Sequence, residues 1–211
     1  MGYNALIKDL RAVLADPKVE AVVRRRLKSF KELRKKPFNE VFKELVFCIL
    51  TANFSASRSI KIIEGIGDKI FDLDLEELAE ELRRLGHRYP RSRARYIIDA
   101  REKIEEIRKA VEEISDEVEL REWLVKNVKG LGYKEASHFL RNIGYENLAI
   151  IDIHILTLLR KYGLISETKR LSKREYFEIE KLLSEIAREM GLRLAELDLY
   201  LWYMDSGKIL K

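Results

Sequence analysis

The sequence predicts an all-α fold, and three features carry that reading. Apolar residues recur at helical spacing at Val41, Leu45, Phe47 and Cys48, at Leu75, Leu78, Leu82 and Leu85, and at Phe177, Ile179, Leu182 and Leu183, so each run can bury one face of a helix. Only three prolines occur, Pro17, Pro37 and Pro90, which leaves the second half of the chain free of the residue that most strongly breaks helices. Gly86, Gly144, Gly163 and Gly191 each follow a helical stretch, where the chain commonly turns left-handed to close the helix. No strand-like alternation competes, and there is neither an internal repeat nor a low-complexity linker.

Taken from the N-terminus, the first strong signal is a basic run. Between Arg24 and Lys36 stand Arg24, Arg25, Arg26, Lys28, Lys31, Arg34, Lys35 and Lys36, against the single acid Glu32. The apolar run Val46-Phe47-Cys48-Ile49-Leu50 follows and makes the only cysteine a buried core residue. One thiol forms no disulfide within the chain and falls short of the four thiolates of an iron–sulfur cluster. Three histidines without a close His/Cys grouping argue against zinc, so no metal is expected. From Leu82 to Ile98 the chain carries Arg83, Arg84, Arg88, Arg91, Arg93 and Arg95 without an acid, interleaved with His87, Tyr89, Pro90 and Tyr96. Such a stretch suits a phosphate-tracking surface; a solvated helix end and loop is the plainer alternative.

The totals set limits without deciding between these. At 211 residues and 46% hydrophobic content the chain can bury a real core, as one domain or as two small lobes sharing a cleft. A net charge of +5 with 36% charged residues favours an anionic partner modestly, and a surface laced with salt bridges accounts for it equally well. With no apolar run of membrane-spanning length and no signal-peptide pattern, an intracellular, soluble protein is expected.

Residues 124–141 read as helix, Gly-x-Gly turn, helix. Leu131 can plug between the helices while Gly130 and Gly132 allow close backbone approach. Amide N–H groups at the turn and at the next helix start would then face outward and suit a phosphate oxygen, with Lys129 adding a cation. Taken alone, a Gly-x-Gly turn is more often an ordinary hairpin loop. Lys134 changes the balance, because it falls in the first turn of the second helix, where the helix dipole disfavours a cation. The same field favours the uncharged amine, a nucleophile for Schiff-base chemistry. An exposed lysine paired with Glu135 or a later acid is the other reading.

Asp152 interrupts the apolar run Leu148–Leu156 and so needs a task. It suits the N-cap of a helix running through Leu158, and a capping carboxylate at a cleft rim could also stabilise cationic charge on a substrate. His154 reads as a satisfied polar side chain rather than as a metal ligand.

The stretch Lys-Gly-Leu-Gly-Tyr-Lys-Glu-Ala-Ser-His-Phe-Leu-Arg-Asn at 129–142, followed by Ile-Ile-Asp-Ile-His at 150–154, resembles the helix–hairpin–helix glycosylase superfamily, and within it the archaeal-type 8-oxoguanine DNA glycosylase/lyase family. The segments from Ile49 to Ala56, from Gly86 to Pro90 and from Leu197 to Tyr203 look familial too, so the likeness covers most of the chain. The resemblance implies that Lys134 is the nucleophile and Asp152 the aspartate that stabilises charge on the sugar. It implies duplex DNA containing oxidised guanine as partner, strand cutting by β-elimination, and action without a cofactor. The iron–sulfur branch, with its four cysteines, is ruled out.

Trp202 matches the family's stacking position for the flipped base, although a Trp beside Leu199, Tyr200 and Leu201 also suits a core. In the family a terminal lysine carboxylate reads the N7–H of 8-oxoguanine, which points to Lys211. The DNA-contacting set is read as Lys129, Gly130, Gly132, His154, Arg93 and Arg95. The expected architecture is a monomer of two helical lobes flanking a DNA-binding cleft: residues 35–144, ending in the helix–hairpin–helix, and residues 1–34 plus 145–211.

Overall fold

Short polar side chains set where helices begin. Asp16, Asp74, Asp116, Asp152 and Ser172 each precede a helix and accept backbone N–H groups of its first turn, which otherwise lack partners. The computed structural model describes residues 2–166 and 171–209. Among them the chain forms α1 (Tyr3–Leu14), α2 (Pro17–Leu33), α3 (Phe38–Thr51), α4 (Ala56–Ile66), a 3-10 turn (Gly67–Phe71), α5 (Leu75–Arg84), α6 (Pro90–Glu102), α7 (Ile104–Glu113), α8 (Glu117–Asn127), α9 (Tyr133–Asn142), α10 (Ile153–Lys161), α11 (Lys173–Met190) and α12 (Leu194–Ser206). No strand occurs among the described residues, as the sequence predicts. The three apolar runs fall on α3, α5 and α11, and Gly86, Gly144, Gly163 and Gly191 all take the positive φ expected just past a helix.

Two apolar cores form. The first gathers α3 to α9 with Tyr145 and Leu148. The second gathers α1, α2, Ala149, Ile151 and α10 to α12. The chain therefore leaves the second core after Phe30, builds the whole of the first, and returns between Leu148 and Ala149. α3 is the first core's axis, buried at nearly every position from Val41 to Thr51 with Cys48 among them. Each such Leu, Ile or Phe contributes roughly 1.5–3 kcal/mol. α9 packs against α3 and α8 on one side and α2 on the other, so its buried residues Ala136–Asn142 lie at the seam between the cores. Among the described residues no helix is long and apolar enough to cross a membrane.

The turn between α8 and α9 depends on Gly130. Its φ is +89°, and a Cβ placed there would stand 2.6 Å from Cδ2 of Tyr96 on α6. Strain and clash act together. Gly130→Ala is expected to destabilise the protein by roughly 1–3 kcal/mol, read from urea unfolding; a change below about 0.5 kcal/mol would show that neither the left-handed backbone nor the tyrosine contact constrains the turn.

Candidate active site

The hairpin forms where the sequence places it, but its amides are partly occupied from within. Leu131 is buried and its N–H donates to the Val128 carbonyl at 3.3 Å. The Gly132 N–H donates to Oε2 of Glu135 at 3.2 Å, because a glutamate three residues into a helix folds back on the residue preceding it. The outward amides expected at this turn are thus reduced by two. Lys129 is exposed beside it and pairs with Asp99 at 2.8 Å.

A cleft of about 1170 Å³ opens between the two cores. From α9 it takes Lys134, His138 and Arg141, which share a face by their spacings of four and three. From α12 come Asp198, Trp202 and Ser206, again one helical stripe, and the start of α10 supplies Asp152, Ile153 and His154. The rim also takes in Thr51, the segment from Asn53 to Arg58, Gly86, Arg88 and the exposed Lys208. Lys134 and Asp152, eighteen residues apart in sequence, therefore line one cavity from different cores.

Asp152 is held at both oxygens. Oδ1 accepts the backbone N–H groups of His154 and Ile155 at 2.9 and 3.0 Å, as the N-cap reading predicts. Oδ2 accepts the indole N–H of Trp202 at 3.2 Å. The carboxylate cannot rotate without giving up two kinds of donor. Trp202, expected as a stacking surface for a base, is half-buried with its N–H on Asp152 and its ring edge-on to His154 at 4.7 Å. His154 in turn places Nδ1 2.6 Å from Oδ2 of Asp205.

Lys134 keeps a quarter of its side chain exposed, and its amine lies 3.4 Å from Oε1 of Glu135. Glu135 thus offers the amine the acidic neighbour of the pairing alternative and offsets the helix dipole that disfavours its charge. Deeper in the cleft, Arg141 and Asp198 form a buried pair, Nη1 to Oδ2 at 3.1 Å. The Arg141 guanidinium also lies over the ring of Phe30 at 4.8 Å. Burial pushes the Asp198 carboxyl up to about 7, with the Asp152 carboxylate adding to the rise and Arg141 and Lys134 opposing it.

The arginine-rich stretch divides. Arg93, expected on a phosphate-contacting surface, is buried; its guanidinium donates to the Ala52 carbonyl and lies near the rings of Tyr89 and Tyr96. It has turned inward because Pro90 starts α6 and places residue 93 on the face that carries Ala94 and Ile97 into the core. Arg83, Arg84 and Arg91 pair with Glu80, Glu81 and Glu76. Arg95 and Arg88 are exposed and make no ion pair among the described residues. In the earlier basic run, Arg24, Lys28 and Lys31 pair with Glu20, Glu32 and Glu146. Lys211 lies outside the described residues.

Asp198, Arg141, His138 and Arg58 belong to the cleft and were not singled out by sequence reasoning, whereas Arg88 stood in the arginine-rich stretch and Glu135 was the acid expected beside Lys134. Asp198 carried the signal that flagged Asp152, an acid inside an apolar run, and Arg141 stands seven residues from Lys134 on the same helix face.

A family model described as 8-oxoguanine DNA glycosylase matches residues 23–192. The chain belongs to this family. Among glycosylase/lyase relatives, a protein of Korarchaeum cryptofilum named 8-oxoguanine DNA glycosylase/AP lyase is 54% identical over the whole of both chains. A Methanocaldococcus jannaschii protein of the same name is 49% identical, over 98% of this chain and 99% of its own. The fold matches the crystal structure of the Methanocaldococcus jannaschii 8-oxoguanine glycosylase/lyase in complex with DNA containing 8-oxoguanine, with a TM-score of 0.94, 48% identity, and coverage of 98% and 100%. The Thermotoga maritima 8-oxoguanine DNA glycosylase gives a TM-score of 0.91 at 42% identity, covering 99% of each chain. The family resemblance read from residues 129–154 is thereby borne out.

Within this glycosylase fold the buried acid has a measurable signature. A carboxyl raised from 3.8 to about 7 on folding binds its proton more tightly in the native state. Its contribution to stability is therefore present at low pH and lost as pH rises through about 7. Asp198→Asn lacks this titration, so its stability relative to the parent is expected to improve steadily between pH 4 and pH 7 in urea unfolding. A difference that stays flat across that interval would return Asp198 to an ordinary ionised carboxylate.

Proposed function

We propose that the chain is a bifunctional 8-oxoguanine DNA glycosylase and AP lyase acting in base excision repair, with Lys134 as nucleophile and Asp152 as the electrostatic stabiliser of the sugar. The observation that carries this reading is that one cleft holds both groups, with the Asp152 carboxylate fixed at each oxygen. Extruding a nucleotide from duplex DNA costs a few kcal/mol, recovered as the base enters a fitted cavity. As the bond from C1′ to the base nitrogen lengthens, positive charge grows on the deoxyribose. A carboxylate already oriented stabilises that charge without reorganising. The Lys134 amine then bonds to C1′ as the base leaves with the bonding pair, and the proton the amine gives up goes to the departing base. Ring opening gives an imine, and loss of a C2′ proton expels the 3′ phosphate by β-elimination, cutting the strand.

Phosphates fall on the rim in this reading, at the hairpin with Lys129, Gly130 and Gly132, at His154, and at the exposed Arg88 and Arg95. The half-buried Trp202 lines the space into which the base turns. We read residues 35–144 and residues 1–34 with 145–211 as lobes that grip the duplex from either side, a division the two apolar cores support. We read the protein as acting as a monomer. A genomic DNA substrate places the protein with the nucleoid.

Borohydride trapping on duplex DNA containing 8-oxoguanine tests the chemistry. The parent protein is expected to form a covalent adduct. Lys134→Gln forms none while binding the same duplex, and Asp152→Asn slows base release by roughly a hundredfold or more. An undiminished adduct in Lys134→Gln would remove the nucleophile assignment, and binding without any adduct in the parent would reduce the hairpin to a phosphate anchor.

Salt titrations separate the arginines. Arg88→Ala and Arg95→Ala are each expected to lower the slope of log K against log salt by roughly one. Arg93→Ala leaves the slope alone and costs about 1–3 kcal/mol of stability instead, since it removes a buried guanidinium bonded to a carbonyl. A reduced slope in Arg93→Ala with unchanged stability would restore it as a phosphate contact.

A further inference from the structure

Arg121, on α8 ahead of the hairpin, is the largest fully buried side chain among the described residues, and the chemistry proposed above has no use for it. Its guanidinium grips Glu180 on α11 with both ends, Nη1 to Oε1 at 2.6 Å and Nη2 to Oε2 at 2.9 Å. Nη1 also donates to Oγ of Ser137 on α9 at 3.2 Å. Glu180 passes the connection on, since its Oε1 accepts the backbone N–H of Ala149 at 2.9 Å. Tyr176, one turn before Glu180, donates its hydroxyl to the Ala149 carbonyl at 2.7 Å. The rings of Tyr133, Tyr176 and Phe177 surround the guanidinium at 5.2–5.9 Å.

The placement of these contacts is informative. Ser137 follows Lys134 by three residues and Tyr133 precedes it directly, so the node holds α9 on either side of the amine. Ala149 stands three residues before Asp152 in a segment, 149–151, that has no regular secondary structure. Such a segment has no ladder of its own to fix its position, and here both backbone groups of Ala149 are fixed by α11. One pair therefore references the two halves of the cleft to each other: α9 through Arg121 and the approach to Asp152 through Glu180.

Stability alone does not account for an ion pair in this place. Burying two charges costs about as much as their attraction returns, and well-packed apolar side chains of the same volume often hold elements together as firmly. What an apolar cluster lacks is register, which the planar, two-point geometry of a guanidinium on a carboxylate supplies. Covalent chemistry is sensitive to register, since a displacement of about 1 Å can lower a rate by roughly a hundredfold.

We propose that Arg121 and Glu180 are positioning residues for the Schiff-base step, fixing the spacing of Lys134 and Asp152 across the cleft while touching neither DNA nor the reacting groups. The proposal rests on the glycosylase/lyase reading. It makes the pair matter to the rate of bond making and leave affinity untouched.

The test uses the full-length chain with three variants: Arg121→Lys, Glu180→Gln, and the double Arg121→Met with Glu180→Leu, in which the pair becomes apolar. Each is checked for folding by thermal unfolding, then for the dissociation constant on 8-oxoguanine duplex, and for single-turnover rates of base release and of borohydride adduct formation. Expected are dissociation constants within about threefold of the parent and adduct formation slower by roughly ten- to a hundredfold, the double variant included although it is as stable as the parent. A folded double variant that forms adduct at the parental rate would overturn the proposal, as would losses in rate matched by equal losses in affinity. Should the double variant not fold, Glu180→Gln, which keeps shape and one acceptor, decides on the same split. A parent protein that forms no adduct would instead overturn the glycosylase/lyase reading on which the proposal stands.

Discussion

The site is organised by the two-sided hold on the Asp152 carboxylate. One oxygen closes the start of α10 by accepting two backbone amides, and the other receives the Trp202 indole from α12. Capping fixes where the carboxylate sits along its own chain. The indole, fifty residues away in sequence, fixes which way it faces relative to the second core. A group meant to meet developing positive charge gains from such immobility, because no solvent-like rearrangement is left to perform as the charge appears. The local motif stabilises the helix by about 1 kcal/mol in the same act. Folding and proposed chemistry thus make the same demand on one side chain.

The seam between the cores is where the protein spends its buried polar groups. Arg121 with Glu180, Arg141 with Asp198, and Asn142 with Glu44 all join α8 or α9 to another element, and all lie largely out of solvent. Away from the seam the cores are mainly apolar, with Ser59, His87 and Arg93 as buried polar exceptions bonded to backbone carbonyls of the first. This distribution follows from what a cleft between two packed units requires. Apolar contacts across the seam would be tolerant of sliding, and hydrogen-bonded pairs with fixed geometry are not.

Much of this was legible in the sequence wherever the governing interaction is local. The helices of α3, α5 and α11 follow from spacing, the four terminal glycines from the left-handed turn, and Asp152 from an acid that had to be either a cap or a cost. The fold-back of Glu135 onto Gly132 was also local, a glutamate three residues past a helix start, and overlooking it left the hairpin with more free amides than it has. Interactions between distant segments were not legible. Arg93 sits in a run without acids, yet the Ala52 carbonyl that draws it inward lies forty-one residues away. Arg91 finds Glu76 across a turn, and the role of Trp202 on Asp152 spans fifty residues. Asp198 marks the boundary between these cases. Its interruption of an apolar run was visible, but its partner Arg141 is fixed only by the docking of α12 against α9.

The cleft brings together charges of both signs that the chain's net charge of +5 does not reveal. Glu135, Asp152 and Asp198 line the cavity along with Lys134 and Arg141, while Arg58 and Arg88 stand exposed in its lining. In the proposed binding mode the backbone of a duplex stays at the rim, where Arg58 and Arg88 are exposed. A deoxyribose carries no charge in its resting form and is not repelled. Once its glycosidic bond loosens it becomes cationic, and in the proposed reaction the fixed Asp152 carboxylate turns from an indifferent neighbour into a partner. In that proposed role Asp152 favours the strained species over the starting one, which is the condition for lowering a barrier rather than merely retaining a substrate.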